Sequence, residues 1–189
     1  MYLVNDADPT PVLIELHGGG WRRGRKNVFS GYPTGLFERL FQAKISVVSA
    51  NYRLIPGHPF PASEMDAVRI VQFVRSKAKD WNIDPDRIGA IGGSAGAHLA
   101  VWVGVHDDFA RLHALDPVQR FSSRLTCVVD IGGPMDILRF DPRAMARHGA
   151  RGRDMAEIFP AKFGYDMNLS PQRQNDEVRR AMKDASPIY

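Results

Sequence analysis

The chain has 189 residues, 44% hydrophobic and 24% charged, with a net charge of +4 and an isoelectric point near 9.4. This is an ordinary globular composition with enough apolar material for one core, and it contains neither solenoid repeats nor a low-complexity tract. A lone cysteine, Cys127, excludes an intramolecular disulfide, and no run approaches the roughly eighteen consecutive apolar residues of a membrane span.

The amino terminus, Met1 to Asp6, has neither a basic region nor a long apolar stretch, so the expectation is a cytoplasmic chain with no membrane partner. Basic residues cluster at Arg22, Arg23, Arg25 and Lys26 and again at Arg143, Arg147, Arg151 and Arg153. No aromatics interleave with them and no nucleic-acid fold signature accompanies them, so they read as solvated faces and no nucleic-acid partner is expected.

Residues 1 to 11 are polar and end in Pro9-Thr10-Pro11, a linker or the tail of an earlier strand. Val12 to Leu16 reads as a buried strand that runs into His17-Gly18-Gly19-Gly20-Trp21. A helical pattern from Gly35 to Ala43 precedes a strand at Ile45 to Ala50. The Pro-rich stretch 56 to 61 cannot be a helix interior or central strand. Ala62 to Ala78 is predicted as a helix, with Met65, Val68, Val71 and Val74 along one face. Asp66 lies in its first turn, where a carboxylate suits the helix dipole.

Ile83 to Asp86 reads as a turn and Arg87 to Ile91 as a strand. Next comes Gly92-Gly93-Ser94-Ala95-Gly96, then a small-residue helix to about Gly104. A G-x-S-x-G between a strand and a helix is a nucleophile-elbow pattern: the glycines permit a turn so tight that the serine hydroxyl stands clear at a helix N-terminus. Leu125 to Ile131 is the next strand, and Cys127 within it is expected to be a buried, inert thiol. Beyond Asp141 the chain turns polar and irregular, with short helices expected at Arg153 to Lys162 and Asn175 to Ala185. Strands alternating with single helices imply a mainly parallel sheet. Trp21 and Tyr52 close strand ends; they read equally as core aromatics or as substrate contacts.

The HGGG segment at 17 to 20 and the elbow at Ser94, in this order, resemble the HGGG group of α/β-hydrolase carboxylesterases, which includes hormone-sensitive-lipase-like and BD-FAE-type esterases. Asn51-Tyr52-Arg53-Leu54, Pro59-Phe60-Pro61-Ala62, Asp66, residues 83 to 88, Gly133-Pro134-Met135-Asp136 and Ala185-Ser186-Pro187-Ile188 fall where that group has similar segments. The resemblance implies an α/β-hydrolase fold, a mostly parallel sheet with helices on both faces, as a single partial domain over 1 to 189. Its core would span 12 to 138, followed by an irregular or helical cap-like segment over 139 to 189. It implies a serine ester hydrolase acting on small-molecule acyl esters through an acyl-enzyme. Ser94 would be the nucleophile, the N–H groups of Gly19, Gly20 and Ala95 the oxyanion hole, and His17 a brace for its loop. No cofactor or metal is expected, and Asp66 matches the family's helix-start acid instead of its triad acid.

The triad acid and base are missing from this reading. In α/β-hydrolases they follow the serine in the order acid, then histidine, each after a later strand. Only one clear strand follows the elbow helix here. His98 rides on that helix and points along it, while His106, His113 and His148 sit in polar connections. The expectation is therefore a piece of a longer hydrolase that lacks C-terminal and N-terminal strands. Such a piece would be inactive alone and prone to self-association through an exposed sheet edge, so a homo-oligomer is a candidate state. The alternative is a non-catalytic binding protein that keeps the scaffold without acid and base.

Overall fold

A computed structural model describes residues 1–26, 32, 34–147 and 149–189, with the side chains of 149–153 outside the description. Four strands, β1 (Thr10–Leu16), β2 (Ser46–Ala50), β3 (Ile83–Gly93) and β4 (Cys127–Ile131), form one sheet in the order β2-β1-β3-β4. All three pairings are parallel. Between them run α1 (Leu36–Gln42), α2 (Ala62–Ser76), the short α3 (Ala78–Trp81) and α4 (Ala95–Val105). This is the alternation that gives parallel strands their crossovers. After β4 come α5 (Pro142–Ala146), α6 (Gly149–Phe163) and α7 (Asp176–Asp184). Among the described residues no helix is long and apolar enough to cross a membrane.

β1 is central, and its near-continuous apolar run suits a strand covered on both faces. Val12, Ile14 and Leu16 are buried, as is Glu15, whose carboxylate accepts from the hydroxyls of Tyr32 and Ser49; burial raises its pKa. The register places Leu16 beside Ala50 on one side and Gly92 on the other. The chain therefore leaves β1 and β3 at the same edge, next to each other. That alignment puts the HGGG segment beside the elbow, at the carboxyl ends of the strands where open α/β sheets bind their ligands.

The helical periodicity of α2 is realised with one exception. Val68, Val71 and Val74 are buried against the core, whereas Met65 stays exposed. α4 is apolar nearly all round and is buried along most of its length, as a helix lying between sheet and α2 must be. The residues read as a turn, 83 to 86, are instead drawn into β3. A register break lets Ile83 pair with Thr10 and Ile88 with Val12, so the turn-like residues form an irregularity inside the strand. Tyr2 makes an antiparallel bridge to Val47, exchanging backbone hydrogen bonds of 2.8 Å in both directions.

Cys127 is exposed, contrary to the buried thiol expected from its apolar neighbours. The cause is topological: among the described residues β4 pairs only with β3, and four of its five residues are exposed. An apolar run specifies a strand but not what covers it.

The segment after residue 138 joins the same core. Ile158, Phe159, Phe163, Val178 and Met182 belong to the buried cluster that includes Ile14 and Leu99. Phe159 stacks on Phe140 at 5.1 Å and meets Tyr165 edge-on at 5.9 Å. Asn175 caps α7 through a 2.9 Å bond from the Val178 N–H. Ser186 Oγ accepts the N–H groups of Ile137 and Leu138 and donates to the Met182 carbonyl, fixing the segment Ala185 to Ile188 against the residues after β4.

Candidate active site

Ser94 occupies the turn between β3 and α4 with φ +53° and ψ −116°, a left-handed conformation that costs a non-glycine residue on the order of 1 to 3 kcal/mol. Its surroundings enforce that conformation. A β-carbon on Gly92 would lie 2.2 Å from the carbonyl carbon of Gly96, and one on Gly96 would lie 1.9 Å from the Leu16 oxygen. The Ser94 N–H donates to the Ile131 carbonyl at 3.0 Å, and its own carbonyl accepts from the His98 N–H at 3.0 Å. The backbone is thus pinned to β4 and α4 while the serine itself is exposed.

The loop after β1 is held from below. His17 is buried and stacks on Tyr52 at 4.2 Å, and the Tyr52 hydroxyl donates to the His17 carbonyl at 2.7 Å. The His17 Nδ1 lies 2.8 Å from the Gly18 carbonyl oxygen. Burial depresses its pKa, with that carbonyl partly opposing the shift, which favours a neutral ring. Gly19 and Gly20 take φ values of +112° and +63°, which glycine adopts without strain. The Gly19 carbonyl accepts the N–H groups of both Arg22 and Arg23, closing the turn. A β-carbon on Gly18 would lie 2.8 Å from the Gly93 oxygen and 3.7 Å from the Ser94 β-carbon, so loop and elbow are in contact.

Gly19, Gly20 and Ser94 line one cavity of about 380 Å³ together with Gly132, Phe140, Met145, Met155 and Ile158. Among the described residues the N–H groups of Gly19 and Gly20 donate to no acceptor. Ala95 is the first residue of α4, where a helix leaves N–H groups without internal partners. The structure thus brings the four sequence-predicted site residues to one place. Tyr52 and Trp21 are buried beneath it and act as core aromatics.

The apolar wall of the cavity comes largely from the segment after Asp141, whose polar, irregular composition does not announce it. The signal was present as Met155, Ile158, Phe159, Lys162 and Phe163 at three- and four-residue spacing. The first basic cluster is also more than a solvated face. Arg22 pairs with Glu157 at 2.5 Å and Arg23 with Asp154 at 3.0 Å, and Arg22, Arg23 and Asp154 line the cavity beside its apolar wall. In the second cluster Arg143 pairs with Asp141, and the side chains of Arg151 and Arg153 lie outside the described residues.

None of the described histidines lines this cavity. His98 is fully buried, with Nε2 2.7 Å from the Ala185 carbonyl oxygen. His106 follows the far end of α4, stacked on Trp102 at 3.8 Å with Nδ1 at 2.7 Å from the Trp102 oxygen, roughly 16 Å of helix from Ser94. His58 and His113 are exposed in connections; His148 lies outside the described residues. Asp66 grips Arg53, accepting from its Nε and Nη2 at 2.8 Å each, a role at the start of α2. Among the described residues no three His, Cys, Asp or Glu side chains converge in a way that could hold a metal ion.

The family model BD-FAE matches residues 1–170. The esterase LipQ of Mycobacterium tuberculosis is 39% identical over 107 residues, covering 57% of this chain and 23% of LipQ. An acetyl ester-xyloside bifunctional hydrolase from Caldicellulosiruptor lactoaceticus superposes with a TM-score of 0.69 at 29% identity, over 97% of this chain and 58% of that one. The butyrate-bound esterase Est2 of Thermogutta terrifontis shares the fold, with a TM-score of 0.67 at 22% identity over 98% and 59% of the two chains. The chain thus corresponds to only part of each of these proteins. With a parallel sheet that brings an HGGG loop against a strained serine turn, and a family match over most of its length, the chain belongs to the BD-FAE family of α/β-hydrolases.

Proposed function

We propose that this chain carries the nucleophile and the oxyanion hole of a carboxylic ester hydrolase that acts on small acyl esters. The observation that carries the proposal is the exposed Ser94 sharing one cavity with Gly19 and Gly20. In this reading the Ser94 hydroxyl attacks the ester carbonyl while the N–H groups of Gly19, Gly20 and Ala95 receive the developing oxyanion. Each such donor is worth about 3 to 4 kcal/mol of transition-state stabilisation. The alcohol leaves, and water then releases the acyl group from Ser94.

A serine hydroxyl needs a base to take its proton and an acid to orient that base. The described histidines do not serve, for the reasons of position given above. The base and acid enter the proposal as residues of a longer protein, in keeping with relatives that extend beyond the matched region. The apolar wall from Phe140 to Ile158 supports an aliphatic acyl group in the pocket, and the esterase relatives support ester hydrolysis.

Expressed from its full coding sequence, the protein is expected to hydrolyse nitrophenyl acetate or butyrate and to be labelled by a fluorophosphonate at Ser94, both abolished by Ser94→Ala. Absence of labelling in the parent protein overturns the reading and leaves a non-catalytic binding protein.

A further inference from the structure

Four elements of the fold meet at one buried ion pair. Glu64 in the first turn of α2 and Lys162 near the end of α6 are both fully buried, with Oε1 and Nζ 2.8 Å apart. Lys162 also donates to Ser63 Oγ at 2.9 Å, and that hydroxyl donates to Glu64 Oε2 at 3.0 Å. The ammonium lies 4.9 Å from the ring centre of Trp21, the residue that ends the glycine loop. Trp21 meets His98 edge-on at 5.1 Å, and His98 Nδ1 lies 4.0 Å from Glu64 Oε1. Among the described residues Trp21 Nε1 and His98 Nδ1 are buried side-chain nitrogens without a hydrogen-bond partner. Both belong to this one cluster.

Stability alone does not account for such an arrangement. A buried ion pair can often be replaced by apolar residues of similar volume at no cost, whereas removing one partner strands a charge. What distinguishes this pair is its reach. Trp21 directly follows Gly20; His98 is one helical turn after Ser94; Ile158, one turn before Lys162 on α6, has its Cδ1 2.7 Å from where a Gly20 β-carbon would be.

We propose that Glu64 and Lys162 are positioning residues for the Ser94 site, fixing from beneath the spacing between the glycine loop and the elbow helix. This inference rests on the serine-hydrolase reading and concerns neither nucleophile nor oxyanion donors. Lys162 holds Trp21 by cation–π attraction, Glu64 holds Lys162, and Trp21 in turn packs edge-on against His98 in the first turn of α4.

The test uses the protein expressed from its full coding sequence and the double variant Glu64→Leu with Lys162→Met, which removes both charges and keeps volume. The double variant is expected to keep its melting temperature and its KM for nitrophenyl butyrate, while kcat and the rate of fluorophosphonate labelling fall at least about tenfold, the scale of a sub-ångström misplacement. A purely structural pair leaves both rates at the parental value in a folded double variant, and that result overturns the proposal. Should the double variant not fold, Trp21→Phe reads the same quantity with weaker cation–π attraction: lowered kcat at constant KM supports positioning, and parental kcat overturns it. A parent protein inert to both ester and probe instead removes the serine-hydrolase reading itself, and the positioning role with it.

Discussion

Gly96 lies so close to the carbonyl oxygen of Leu16 that a β-carbon on it would sit 1.9 Å from that oxygen. The helix behind the serine and the strand that feeds the HGGG loop are in backbone contact at this point. Any side chain at 96 separates them, and with them the two halves of the candidate site.

Gly96→Ala is therefore expected to destabilise the protein by at least about 3 kcal/mol, the upper range for overpacking, because the obstacle is backbone and cannot rotate away. Gly93→Ala is the control, since a β-carbon there meets nothing within 4 Å; it is expected to change stability by less than about 0.5 kcal/mol. Urea unfolding of the two variants checks the contrast, and equal midpoints would contradict the close approach.

The strain at Ser94 yields a second expectation. Ser94→Gly relieves the φ of +53° and should raise stability by about 1 kcal/mol, after the entropy cost of glycine in the unfolded chain. Ser94→Ala keeps the strain and should leave stability nearly unchanged. Thermal melts of both variants beside the parent test this; a destabilised Ser94→Gly would show that the turn is not strained.

His98 sets a pH dependence of folding. Burial is the main cause of its pKa falling to about 4 from 6.5; Glu64 and the Ala185 carbonyl oppose the shift, and Lys162 and His106 add to it. The unfolded chain binds the proton more tightly than the folded one, so stability is complete above pH 6.5 and is lost as pH falls toward 4. That depression corresponds to about 3 kcal/mol at 1.36 kcal/mol per unit. Chemical denaturation between pH 4 and 7 should show this slope in the parent and a flatter one in His98→Gln. Identical slopes would place the acid sensitivity elsewhere.

The open side of β4 bears on association. Val129 and Ile131 are 43% and 38% exposed beside the exposed Cys127, and an unpaired apolar strand edge templates pairing with another chain. The 189-residue chain on its own is expected to self-associate at micromolar concentration, to react with a thiol reagent without denaturant, and to become more monomeric on Val129→Lys. Sedimentation of the two chains and a thiol titration decide the matter, with a monomeric, unreactive parent as the contrary result.

Much of this protein is written locally. The strand at Val12 to Leu16, the helix at α4, the buried face of α2 and the glycine pattern around Ser94 each follow from a few consecutive residues, because periodicity and backbone freedom act over one or two turns. The segment at 83 to 86 shows the limit: its residues have turn chemistry, and only pairing with β1 draws them into β3.

Other features depend on partners far apart in the chain. Cys127 reads as buried from its neighbours and is exposed because, among the described residues, β4 is paired only with β3. The cavity wall at Phe140 to Ile158, the hold of Asp154 and Glu157 on Arg22 and Arg23, and the Glu64–Lys162 pair all join residues far apart in the chain, 131 positions for Arg23 and Asp154. The sequence by itself determined the strand–turn–helix pieces and the identity of the nucleophile candidate. Only the tertiary structure decided which surfaces are covered and which charges meet, since burial and pairing belong to the packed chain as a whole and to no segment of it.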